Sequence, residues 1–129
     1  MSKPIPTRSE ESPGDLPAEE FRKLLHQAAD WVADYRLNIE QQAISPQVRP
    51  GEVTNSLPSQ MPEWPQPVEM IMADFERLIV PNLVHWGHPA FVGYFGSTTT
   101  GPGILGELMA ATLNVSAMTW ATSPAATEL

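Results

Sequence analysis

His85 and His88 stand three residues apart in the run His85-Trp86-Gly87-His88-Pro89, a spacing that on a helix presents two imidazoles to one metal ion. Gly87 and Pro89 make this run a loop instead. The chain has no cysteine, and the nearest carboxylates in sequence are Glu76 and Glu107, so a third ligand is missing and no metal site is expected. Ser97, Thr98, Thr99, Thr100 and Gly101 precede a helix start, where free backbone amides attract anions. They lack phosphate-loop spacing, so the hydroxyls read as helix caps. The rings of Trp86, Phe91, Tyr94 and Phe95 could wall a flat ligand or pack as an apolar loop, and the residues alone leave both open. Lys3 and Lys23 are the only lysines. One belongs to the N-terminal tail and the other to a polar helix face, so neither suits a Schiff-base nucleophile. No catalytic residue is expected on this chain.

The elements that carry these side chains are set by proline and by apolar periodicity. Fourteen prolines in 129 residues are about twice the usual share. Residues 1–15 hold Pro4, Pro6 and Pro13 among acidic and small residues, too little apolar surface to offset ordering, and read as a flexible tail. From Phe21 the pattern changes to Leu24, Leu25, Ala28, Trp31, Val32, Tyr35 and Ile39, the period of an amphipathic helix. Asp15 sits where an N-cap belongs and Pro17 where a first-turn proline belongs. Six prolines from Pro46 to Pro67, with Gly51, form a connector of extended and turn backbone.

A second helix is predicted from about Pro67 to Val80, with Val68, Ile71, Met72, Phe75, Leu78 and Ile79 on one face and Pro81 at its end. A third runs from about Pro102 to Asn114 through Ile104, Leu105, Leu108, Met109, Thr112 and Leu113, capped by Thr100 or Gly101. Ser123-Pro124 starts another helix. The six residues behind that start are well short of the dozen or so that hold helical form in water, so the end reads as a cut through an element. Trp31, Trp64 and Trp120 read as structural.

Charge limits the partners. The net charge is -8, from seven Lys and Arg against fifteen Asp and Glu, and this field repels nucleic-acid phosphates and anionic lipid surfaces. No stretch offers the ~20 apolar residues of a membrane span, and the opening Met1-Ser2-Lys3-Pro4 lacks a secretory core. With no cysteine to oxidise, a soluble cytoplasmic protein is expected. From Ile79 to Thr127 the only Asp, Glu, Lys or Arg is Glu107. So bare a stretch suggests surface meant for other protein, against the plainer reading of an ordinary core with polar loops.

Two long motifs lie in register with a known family. His85-Trp86-Gly87-His88-Pro89-Ala90-Phe91-Val92-Gly93-Tyr94-Phe95 and Thr119-Trp120-Ala121-Thr122-Ser123-Pro124-Ala125-Ala126-Thr127-Glu128-Leu129 closely resemble the N-terminal part of pyridoxal-phosphate-dependent group II decarboxylases. The aromatic-L-amino-acid decarboxylase branch looks nearest. The resemblance begins near Phe21 and includes Val48-Arg49-Pro50-Gly51 in the connector.

That resemblance implies a mainly α chain: three amphipathic helices with a proline-rich connector, an N-terminal fragment of a fold-type I enzyme intertwined as a homodimer. After the tail, residues 16–129 would be the N-terminal helical domain, cut before the large domain with the cofactor lysine. Pyridoxal phosphate is expected in the whole enzyme and not on this chain, as is the amino-acid substrate. By position, Trp86, Tyr94, Phe95 and Ser97 resemble pocket residues of one subunit, and Ser116 and Met118 those contributed from the opposite subunit. Gly96-Ser97 replaces a proline and threonine of the animal pattern, and Ser116 and Met118 replace larger or aromatic side chains. An aromatic amino acid remains the expected substrate class, because Trp86, Tyr94 and Phe95 persist. The competing expectation is a self-associating helical module with no catalytic role, and a stand-alone binder of aromatic amines ranks third.

Overall fold

The computed structural model describes residues 16–94, 96 and 99–129, and the tail expected over residues 1–15 lies outside them. Every regular element among the described residues is helical. The chain divides into two compact units, Met1–Val92 and Gly93–Leu129.

The first unit is built on α1, Ala18–Leu37. Its N-cap is Pro17, with no side-chain cap bond. Pro17 therefore sits one position earlier than its expected first-turn place, and Asp15 lies outside the described residues. Glu19 and Glu20 place negative charge at the positive end of the helix. At the other end Asn38 donates both its backbone N–H and its Nδ2 to the Asp34 carbonyl, at 2.9 and 2.8 Å. A 3-10 turn over Ile39–Gln41 follows.

The connector contains a short helix that its prolines hid from the periodicity, α2 at Glu52–Ser56. Pro50 and Gly51 are the two central residues of a tight turn, closed by Glu52 N–H donating to the Arg49 carbonyl at 3.1 Å. Gly51 has φ 93° and ψ -20°, the conformation a type II turn requires at its third residue and one that favours glycine. The Arg49 amide in turn donates to Glu52 Oε2 at 2.9 Å. A turn and a helix start are thus fastened from both sides.

The predicted second helix is split into three. α3 covers Val68–Asp74, a π turn covers Phe75–Ile79, and a 3-10 turn covers Val80–Asn82. Proline explains the split. In a regular helix the Pro81 ring would strike the carbonyl of Arg77 and leave that carbonyl without a donor. The wider turn moves the backbone first, with Val80 N–H reaching back to the Phe75 carbonyl. Asn82 then donates Nδ2 to the Leu78 carbonyl at 2.9 Å and closes the end.

Between these elements the core is small. Leu24, Leu78 and Val80 are the buried apolar residues among those described. Trp31 on α1 joins the helices, its ring edge-on to Phe75 with centroids 5.3 Å apart and stacked on Tyr35 at 5.3 Å. Ile71, placed on the buried face by its spacing, is exposed. So is Phe21. A groove of about 480 Å³ lies between α1 and α3, lined by Phe21, Leu24, Trp31, Val68 and Met72. Lys23 and Glu69 pair across its rim at 3.3 Å. Of the tryptophans read as structural, Trp31 packs between elements while Trp64 and Trp120 are exposed.

The second unit carries α4, Gly101–Leu113. Thr100 is its N-cap, in extended backbone, and its hydroxyl accepts the Gly103 amide at 3.2 Å. The helix ends at Asn114, whose left-handed φ of 45° and amide bond to the Ala110 carbonyl form the C-cap. α5 follows at Pro124–Glu128 behind Ser123, which makes no side-chain cap bond. No helix among the described residues is long and apolar enough to cross a membrane.

Candidate functional site: the Trp86 turn and the Thr122 loop

Trp86 sits in the first unit at the second position of a turn. His88 N–H donates to the His85 carbonyl at 2.9 Å, so Trp86 and Gly87 are its central residues, and Phe91 N–H donates to the His88 carbonyl at 2.9 Å. The Trp86 ring leans on Phe91 with centroids 5.4 Å apart and remains 52% exposed. An aromatic surface is therefore presented on a hydrogen-bonded turn, backed by a second ring.

His85 is 2% exposed. Its Nδ1 lies 2.7 Å from the Tyr35 hydroxyl, and its amide donates to the Ile44 carbonyl at 3.1 Å. Burial pushes the Tyr35 hydroxyl above the usual phenol range, because ionising it would place charge where water is scarce. His88 Nδ1 accepts the Ala90 amide at 3.0 Å, which puts the proton of the neutral ring on Nε2. With one nitrogen accepting and the other protonated, His88 has no lone pair to offer a metal in this arrangement. Among the described residues no group of three or more His, Cys, Asp or Glu is placed to hold a metal ion.

In the second unit Tyr94 has φ 57°, left-handed backbone that is rare for an aromatic residue. Its side chain is 84% exposed. Phe95 and Ser97 lie outside the described residues. Ser116 and Met118 share the loop after α4. Thr122 fastens this loop: its Oγ1 lies 3.0 Å from the Ser116 carbonyl and 2.8 Å from the Thr119 carbonyl, and it accepts the Thr119 amide at 3.3 Å. A hydroxyl has one proton, so it donates to one carbonyl at a time. Met118 is 88% exposed. Trp120 Nε1 donates to Glu128 Oε1 and ties the loop to α5.

The candidate residues are thus distributed over both units, with Trp86 in the first and Tyr94, Ser116 and Met118 in the second. Spacing relates His85 to His88 and gives no sign of its pairing with Tyr35. The signal in the sequence is Tyr35 at a helical step from Trp31 on an apolar face, where a hydroxyl requires a polar partner.

Residues 50–129 match the model of the pyridoxal-dependent decarboxylase conserved domain. The chain belongs to this family. Relatives include a phenylacetaldehyde synthase of Petunia hybrida, 45% identical over 88% of this chain and 22% of its own length. An aromatic-L-amino-acid decarboxylase of Catharanthus roseus is 40% identical over 88% of this chain and 23% of its own. Tryptophan decarboxylase of Catharanthus roseus, solved in complex with L-tryptophan, superposes with a TM-score of 0.83 at 37% identity, covering 92% of this chain and 25% of that one. The chain spans about a quarter of the length of the relatives it matches. The helical segment of a fold-type I decarboxylase implied by the motifs is therefore the fold observed.

The cofactor of this family is pyridoxal phosphate, and the described residues do not fit it. It is held covalently through a lysine. Lys23 is paired with Glu69 on an exposed rim, its side chain 62% exposed, and Lys3 lies outside the described residues. The family's members include enzymes that act on aromatic amino acids.

Proposed function

We propose that this chain is the dimerisation and substrate-pocket segment of a pyridoxal-phosphate-dependent carboxy-lyase acting in the cytoplasm on aromatic amino acids. By itself it is inactive. The observation that carries the reading is the Trp86 turn within the family match: a ring held on Phe91, half exposed, inside the stretch that matches the family model. Trp86, Tyr94 and Phe95 would receive a substrate ring and Ser97 would orient it, with Ser116 and Met118 contributed to the wall from a second copy. Offset or edge-on contact with such rings contributes about 0.5–1.5 kcal/mol each beyond area burial.

The test is direct. The 129-residue chain is supplied with pyridoxal phosphate and L-tryptophan, L-tyrosine or L-phenylalanine, and carbon dioxide release is followed. No release above the rate of the cofactor alone is the expected outcome. Enzymatic turnover would overturn the reading, since it would require a Schiff-base group that the described residues do not supply.

A second reading is favoured by one specific observation. Leu105, Leu108, Met109 and Leu113 on α4 are all exposed, and a self-associating helical module would need such a surface. This reading keeps the dimer and discards the pocket.

A further inference from the structure

Three hydrogen bonds converge on His85, the residue immediately before Trp86. Its side chain reaches Tyr35 on α1 at 2.7 Å, its amide reaches Ile44 in the connector at 3.1 Å, and its carbonyl accepts the His88 amide that closes the turn. The Tyr35 ring is itself immobilised, stacked on Trp31 with 9° between ring planes. Trp31 in turn packs edge-on against Phe75 of the π turn. A continuous set of contacts therefore runs from the π turn through two α1 rings to the base of the Trp86 turn.

Burial makes this junction consequential. At 2% exposure the His85 ring cannot exchange its partner for bulk water, so losing the Tyr35 hydroxyl leaves Nδ1 poorly compensated. The neighbouring Trp86 is half exposed and leans on Phe91. From these observations we infer that Tyr35 and His85 are positioning residues for Trp86, clamping the turn onto α1 so that the exposed indole keeps one orientation. Its functional consequence rests on the proposed pocket role of Trp86. The pair would then set how firmly an aromatic substrate ring is received, without touching it.

The test uses the full 129-residue chain, amide hydrogen exchange and the Trp86 indole resonance. Y35F keeps the stacked ring and removes the hydroxyl. H85F fills the space without an acceptor, and H85N places a carbonyl oxygen near the position of Nδ1. In Y35F and in H85F, exchange of the His85 and His88 amides rises about tenfold, the factor that one lost hydrogen bond corresponds to. The Trp86 indole resonance shifts or broadens as well. Amides inside α1 change by a clearly smaller factor, H85N stays near wild type, and the double variant Y35F/H85F is no worse than either single one.

A purely structural role predicts something else: every amide of the first unit accelerates by the same factor, and that result overturns the inference. So does an unmoved Trp86 resonance in Y35F. Carbon dioxide release, which tests the pocket reading, is independent of these resonances. Turnover with an intact clamp would sink only the pocket reading, and an unmoved indole without turnover only the clamp.

Discussion

Tyr35 carries a stacked indole on one face and a buried imidazole at its hydroxyl, and burial there favours the neutral phenol. In the unfolded chain a tyrosine ionises near pH 10, whereas burial raises the value in the folded protein. The folded state therefore holds a proton that the unfolded state has lost once the pH passes about 10. The stability contributed by the neutral hydroxyl is complete below that pH and declines as pH rises through the folded value. Denaturant midpoints measured between about pH 9 and 11 should fall in the wild type, and Y35F should remove that part of the slope. An equal slope in Y35F would show that another group titrates. Glu69 shifts the opposite way, lowered by its own backbone amide at the start of α3 and then by Lys23. The two form an exposed surface pair, which contributes little.

At the scale of elements, α4 rests on its cap more than on its packing. Gly101 and Ile104 are half-buried and the rest of the helix is exposed, so few tertiary contacts compensate a weakened start. The Thr100 hydroxyl holds the Gly103 amide, and T100A should cost about 1 kcal/mol, read as lost helicity and earlier melting of the second unit. T100S, which keeps the oxygen, should stay within a few tenths of that unit of wild type. This cap was legible in the sequence because Thr-Gly-Pro-Gly ahead of a periodic run admits few other roles. α1 and α4 were legible for the same reason, each within a few residues of its bounds. The π turn and α2 were not. Apolar period cannot distinguish a helix from a widened turn that keeps the same face, and a five-residue helix between prolines has no period to read. The Trp86 turn came from motif similarity and its glycine and proline. Its anchor at Tyr35 could not be read, because fifty residues of sequence separate the partners and only the folded chain brings them together.

At the scale of the whole molecule, charge is unevenly spread along the chain. From Ile79 to Thr127 only Glu107 is charged among Asp, Glu, Lys and Arg, so the net charge of -8 resides almost wholly elsewhere. Two copies meeting through this stretch would avoid most of their mutual repulsion while covering Leu105, Leu108, Met109 and Leu113. A stable contact needs about 800 Å² from each partner, an area to which the exposed side chains of α4 and of the loop through Met118 and Trp120 can contribute. The proposed homodimer makes a prediction for α5. Five residues cannot hold a helix unaided, and Pro124–Glu128 are all exposed, with Thr127 N–H bonded to the Ser123 carbonyl. If the dimer covers them, the amides from Thr127 to Leu129 should exchange slowly in concentrated solution. L108E, which would bury a carboxylate at the contact, should shift sedimentation toward monomer by at least a tenfold weaker association. The same variant should release the α5 amides together with the dimer. A wild type that sediments as monomer at high micromolar concentration would remove the homodimer, and strong α5 protection in that monomer would show that the turn is held by its own unit.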